Sequence, residues 1–269
     1  MLTKRNLKYF FIISLVILSF VSGACSDKSE INTGKESQEI TVFAAASLTE
    51  SLKEIVEEFK RINPESNIQL NLSSSSRLRV QIEQGVQADI YLSANKRHYE
   101  ILREKGFVAE GKNFLSNTMV VVVPQDNPAN INDLIDLTKQ CKLVVAQKEV
   151  PAGSYALQVL NNLEEKFGTD YKEKVLENVV SRENNVKQVL AKVIIGEADA
   201  AFVYSSDITP GVKGKVKLLQ IPDEYNVKAS YWAAILKGSQ NKDNVKAFYE
   251  FLTGEKGQEI FKKYGFTNA

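Results

Sequence analysis

From Glu39 to the end of the chain, short runs of β-branched and aromatic residues alternate with amphipathic stretches, and this alternation restricts the fold more than any other feature. It predicts an α/β architecture with mainly parallel strands. The expected strands are residues 40–43, 68–72, 88–92, 119–123, 143–146, 178–180, 200–204, 216–221 and 229–236. Leu48, Leu52, Ile55, Val56, Phe59 and Ile62 recur at helical spacing, as do Ala156, Val159, Leu160, Leu163 and Phe167. Val186, Val189, Leu190, Val193 and Ile194 form a third stripe; Val245, Phe248, Phe251, Leu252, Ile260 and Phe261 follow near the C-terminus. All are read as core faces.

The first 25 residues stand apart. Lys4, Arg5 and Lys8 precede the apolar run Phe10 to Val21, which ends in Ser22-Gly23-Ala24-Cys25. That is the pattern of an export signal, and the run falls short of a membrane span of about 20 residues. Its removal takes three positive charges from a chain of formal net charge +1, leaving −2 and no basic excess to attract nucleic acid. The small residues before Cys25 resemble a bacterial lipobox, in which the cysteine becomes the lipidated N-terminus; Ser22 departs from the usual Leu or Val, and ordinary cleavage is the alternative. Residues 26–38, polar and aperiodic, read as a flexible tether to a membrane-anchored or periplasmic domain. Cys141 is the only other cysteine, so no intrachain disulfide is expected.

Counting residues removes most enzyme chemistries. There is one histidine, His98, within the charged helical segment Asn95 to Glu100, where it reads as a surface residue. A zinc site built from His and Cys lacks ligands. The nucleophile elbow, the phosphate loop and the dinucleotide fingerprint are absent. The pairs Glu57-Glu58 and Glu164-Glu165 read as solvated charge on helices. No catalytic residue and no cofactor are expected.

What recurs instead is a small or polar cluster between a strand and a helix. Ala44 to Glu50 is the first, with Ser47 three residues before Glu50 as in a capping box. Ser73 to Ser76, Pro151 to Ser154 and Glu183 to Asn185 are the others. Each junction exposes backbone N–H groups at the positive end of a helix dipole, and ligands of open α/β sheets collect at strand C-termini. Read together they form an anion cradle; read singly they are helix caps.

At these residues the chain is similar to the molybdate-binding proteins of bacterial molybdate ABC transporters. The similarity runs from about Glu39 to Phe266 through five ordered motifs: residues 41–49, 81–85 with 88–94, 150–156, 203–207 and 260–266. The resemblance implies a two-lobed periplasmic binding protein of type II, each lobe a mainly parallel sheet flanked by helices, with ligand in the cleft between them. Lobe 1 would comprise 39–118 and 230–269, and lobe 2 residues 119–229. It implies an oxyanion held by Ser47, Ser75, the N–H groups of Ala152 and Val186, and the Tyr204 hydroxyl. Ser75 follows from counting back from Leu78, with Ser74 and Ser76 as rivals. Lys187 stands where the family often has Arg, and both it and Arg77 are read as solvent-facing. Molybdate or tungstate would be the cargo, with molybdenum present only as the bound oxyanion, and an ABC permease the partner of a monomer. Alternatives are a receptor for another tetrahedral oxyanion, tungstate-selective or sulfate, and an extracytoplasmic enzyme or adaptor on the same fold.

Overall fold

The computed structural model describes residues 39–240 and 242–269, so the expected export signal, Cys25 and the tether lie outside the described residues. The chain opens with β1 (Glu39–Ala45), a 3-10 turn at Ala46–Leu48, α1 (Thr49–Ile62), β2 (Asn67–Ser73), α2 (Ser75–Glu83), β3 (Ile90–Ser93) and α3 (Lys96–Glu104). Next come β4 (Val108–Asn117), β5 (Met119–Pro124), β6 (Leu143–Ala146), α4 (Pro151–Phe167), α5 (Tyr171–Glu177), β7 (Val179–Glu183) and α6 (Val186–Ile194). The remainder is β8 (Ala200–Tyr204), a turn at Ser205–Asp207, α7 (Pro210–Lys213), β9 (Val216–Gln220), β10 (Ala229–Leu236), α8 (Asp243–Thr253) and α9 (Glu255–Lys263).

These strands form two five-stranded sheets, ordered β2-β1-β3-β10-β4 and β7-β6-β8-β5-β9. The two-lobed α/β architecture is therefore present, but the sheets are mixed rather than mainly parallel. β1 pairs in parallel with β2 and β3, and β6 with β7 and β8. β10 runs antiparallel to β3 and β4, and β5 antiparallel to β8 and β9. The reason is topological. β5 and β10 are the strands by which the chain enters each sheet directly from the other, through Thr118 and through residues 221–228, and no helical crossover imposes a parallel direction on them.

β4 was absent from the expected strands. Its first half, Val108 to Asn113, is polar and contains Gly111, a pattern that reads as a loop. A ladder to β10 with two register shifts makes it a strand nonetheless. At Gly111 the space for a Cβ is occupied by the Tyr99 ring at 2.5 Å and the Ala233 carbonyl at 2.9 Å, so the close approach itself requires glycine.

The helical stripes pack as expected. In α1, Leu52, Ile55, Val56 and Phe59 are buried, whereas Ile62, at the last helical position, is 65% exposed. Phe59 meets Phe248 and Phe251 edge-on at 5.0 and 5.4 Å, which seats α8 against α1 and returns the C-terminal helices to the first sheet. Burial of each such side chain contributes about 1.5–3 kcal/mol. The two lobes thus form firm walls on which loops can be aimed.

Candidate functional site

The C-terminal ends of β1, β2, β6, β7 and β8 converge on one small cavity, and Ser47, Ser75, Ala152, Val186 and Tyr204 all line it. A roomier hollow beside α4, bounded by Val145, Ala156, Leu157, Leu160 and Leu176 with Lys148, Glu149 and Arg182 at its rim, lies largely among apolar side chains of one lobe. The smaller cavity is the one with chemistry.

Three helices begin at its wall. Ser75 is the first residue of α2, Ala152 the second of α4 and Val186 the first of α6, positions whose N–H groups have no acceptor within the helix. Pro151 occupies the first position of α4, where its missing N–H costs nothing and its fixed φ favours the helix. Gly153 follows because a Cβ there would stand 2.2 Å from the Gln147 carbonyl and 2.4 Å from that of Ala146. This contact brings the start of α4 onto the end of β6. In α6, the Asn185 side chain accepts the N–H of Gln188 at 3.0 Å and leaves Val186 uncapped.

The side chains are set with equal care. The Ser75 hydroxyl oxygen accepts the Ala94 N–H at 2.9 Å, which leaves its own proton to donate. Tyr91 donates to the Ser75 carbonyl at 2.8 Å and pins the residue. Ser74 and Ser76 point their hydroxyls at each other, 3.2 Å apart. The Ser47 hydroxyl is 2.9 Å from that of Tyr231. It does not cap α1, so the expected capping box with Glu50 does not form. The chain makes a 3-10 turn at Ser47 before α1 begins, which takes that hydroxyl away from the helix start.

Tyr204 is 1% exposed, and its hydroxyl has no hydrogen-bond partner among the described residues. Burial, and then the neighbouring phenols Tyr231 and Tyr155, raise its pKa well above the ordinary tyrosine value, so it is a neutral donor. No residue lining the cavity is charged. The arrangement offers N–H and O–H donors from two lobes to an acceptor, with helix dipoles behind three of them.

The sequence profile of the bacterial extracellular solute-binding proteins matches residues 40–267. The chain belongs to that family. The molybdate-binding protein ModA of Mycobacterium tuberculosis is 34% identical over 260 residues, covering 94% of this chain and 95% of the relative. ModA of Escherichia coli is 33% identical, covering 92% and 96% respectively. The fold matches that of the Azotobacter vinelandii periplasmic molybdate-binding protein with a TM-score of 0.74 at 22% identity, over 85% of this chain and 98% of that one.

Around the cavity of this solute-binding protein lie residues that sequence reasoning assigned elsewhere. Lys187 is not solvent-facing: its ammonium stands 2.7 Å from Glu50 on α1 and 3.1 Å from the buried Asp207. Burial works against its charge, but the two carboxylates outweigh burial and raise its pKa. His98 is 3% exposed, and its Nε2 lies 2.9 Å from the Glu149 carbonyl of the other lobe. Its helix turns His98 inward together with Tyr99 and Leu102, although Lys96, Arg97 and Glu100 are charged. Arg77 is exposed, as expected. Tyr231 and Asn117 carried no sequence signal: one lies in an alternating strand run and the other at a strand end, and only the sheets bring Tyr231 to Ser47 and Asn117 to Tyr231.

Proposed function

We propose that this solute-binding protein captures a tetrahedral oxyanion, molybdate and with it tungstate, between its two lobes and delivers it to an ABC permease. The observation that carries the reading is the convergence of Ser47, Ser75, Ala152, Val186 and Tyr204 on one cavity whose lining is uncharged. A dianion buried without a counter-ion needs a dense shell of donors, and each hydrogen bond to a charged group contributes about 1.5–3 kcal/mol. About seven such bonds, less the cost of ordering and closure, correspond to dissociation constants of roughly micromolar to nanomolar. Relatives that carry the name molybdate-binding protein across nearly their whole length support the choice of cargo.

The donor shell also sets selectivity. A fully deprotonated oxyanion only accepts and can use every one of these N–H and O–H groups, whereas a protonated phosphate must turn one hydroxyl into an acceptor and so forfeits a donor to the anion. Sulfate has the same charge and shape, so its rejection rests on size. Residues 39–118 with 230–269 act as one lobe and 119–229 as the other, hinged at the crossing strands, and ligand favours the closed form because both lobes contribute donors. The function is capture rather than catalysis, by a monomer that Cys25 holds to the membrane through lipid.

Titration calorimetry on the mature chain with molybdate, tungstate, sulfate and phosphate tests the reading. Tight binding of the first two with the last two silent is expected. Heat from none of them, on folded and ligand-free protein, overturns it.

A further inference from the structure

Lys187 belongs to no part of the oxyanion shell. It does not line the cavity, and its ammonium is committed to two carboxylates. Its position is nonetheless central. It follows Val186 at the start of α6, and its side chain reaches Glu50, in the first turn of α1 and three residues beyond Ser47. Asp207, its second partner, is fully buried, and its other oxygen accepts the Tyr204 backbone N–H at 3.0 Å. One ammonium therefore ties together the segments bearing three of the proposed donors: the Ser47 turn, the Val186 helix start and Tyr204.

The two carboxylates are not equivalent. Asp207 and Lys187 lie in the same lobe, so their pairing persists when the lobes separate; without that ammonium the buried carboxylate would lose its countercharge. Glu50 lies in the other lobe, and its bond to Lys187 exists only when the lobes meet. Asp207 is thus an anchor that holds the lysine in place, and Glu50 is the contact made on closing.

We infer that Lys187 is a positioning residue that latches the closed form through Glu50 while Asp207 couples the latch to Tyr204, so that it sets the residence time of the bound oxyanion without touching it. The inference rests on the oxyanion-receptor reading for its ligand and on the geometry alone for the latch. Opening must break the Glu50 contact, whereas ligand entering an open cleft need not wait for it. The effect therefore falls on dissociation. The pair is partly exposed, with side-chain accessibilities of 24% for Lys187 and 38% for Glu50, which limits its strength below that of a buried pair.

The test uses the mature chain and four variants, Glu50→Gln, Lys187→Met, Lys187→Arg and the Glu50→Gln/Lys187→Met double variant, in molybdate association and dissociation kinetics. Small-angle scattering of the ligand-free proteins is recorded alongside. Glu50→Gln and Lys187→Met are expected to raise the dissociation rate about two- to fivefold with little change in association. The double variant should be no worse than Lys187→Met, Lys187→Arg should restore most of the loss, and ligand-free Glu50→Gln should scatter as a more open particle than wild type. Wild-type binding of molybdate with unchanged rates and scattering in both single variants overturns the latch and leaves the receptor reading intact. A loss that falls on association instead also overturns it, because it would mark long-range attraction rather than a latch. If wild type binds no molybdate yet Glu50→Gln opens the particle, the latch stands and the receptor reading fails; if the particle does not open, both fail.

Discussion

The hydroxyl of Ser47 lies 2.9 Å from the hydroxyl of Tyr231, and both side chains are buried. Asn117 offers an amide N–H to the same phenol oxygen at 3.5 Å. An amide N–H only donates, so Tyr231 accepts from Asn117 and keeps its own proton to give to Ser47, the arrangement that leaves the serine proton for the cavity. The phenol, on another strand, thus fixes where the Ser47 hydroxyl sits. Tyr231→Phe should weaken molybdate binding by about 1 kcal/mol, roughly fivefold, measured by calorimetry. Unchanged affinity would show that the orientation of Ser47 does not depend on this phenol.

Tyr204 presents the opposite case. Its hydroxyl is buried without a partner, so Tyr204→Phe removes no protein hydrogen bond and relieves an unsatisfied group. The variant should melt at or above the wild-type temperature without ligand, yet bind molybdate about tenfold or more weakly. A fall in ligand-free stability with affinity retained would assign the phenol to structure.

Gly153 tests the seat of α4. A Cβ would stand 2.2 Å from one carbonyl oxygen and 2.4 Å from another, so the helix start must shift away from β6. Gly153→Ala is expected to cost about 1–3 kcal/mol of stability by denaturant titration, and to weaken binding by moving the Ala152 N–H. Wild-type affinity in the variant would exclude that N–H as a donor.

His98 predicts a pH dependence. Burial, then the charges of Arg79 and Arg97, outweigh the favourable contact with the Glu149 carbonyl and hold its pKa below the ordinary 6.5. The unfolded chain thus takes up a proton more readily than the folded one as pH falls. The contribution of the neutral ring is fully present above about pH 6.5 and is lost as pH falls below it, by at most about 1.4 kcal/mol per pH unit. Melting temperatures between pH 8 and 5 should decline more steeply for wild type than for His98→Gln; identical slopes would show that the ring does not titrate across this contact.

Local periodicity made most of the fold legible. Strands such as 143–146, 200–204 and 229–236 lie where β-branched runs predicted them, because burial on a pleated surface selects those residues wherever the strand ends up in the sheet. β4 escaped, since its polar first half and Gly111 acquire strand geometry only from the ladder to β10. Strand direction was equally illegible for β5 and β10, whose orientation depends on the path between the sheets.

By itself, the sequence determined the alternation of strand and helix, the stripes that became core, and the small-residue junctions where helices begin at strand ends, because each of these depends on residues within a few positions of one another. The tertiary structure alone decided which distant residues meet: within a lobe, Ser47 with Tyr231 rather than as a helix cap and Lys187 with Asp207; across the lobes, Lys187 with Glu50 and His98 with the Glu149 carbonyl. Those pairings join residues 20 to 184 positions apart, and at such separations a partner is chosen by how packed sheets bring their loops together, which no local pattern encodes.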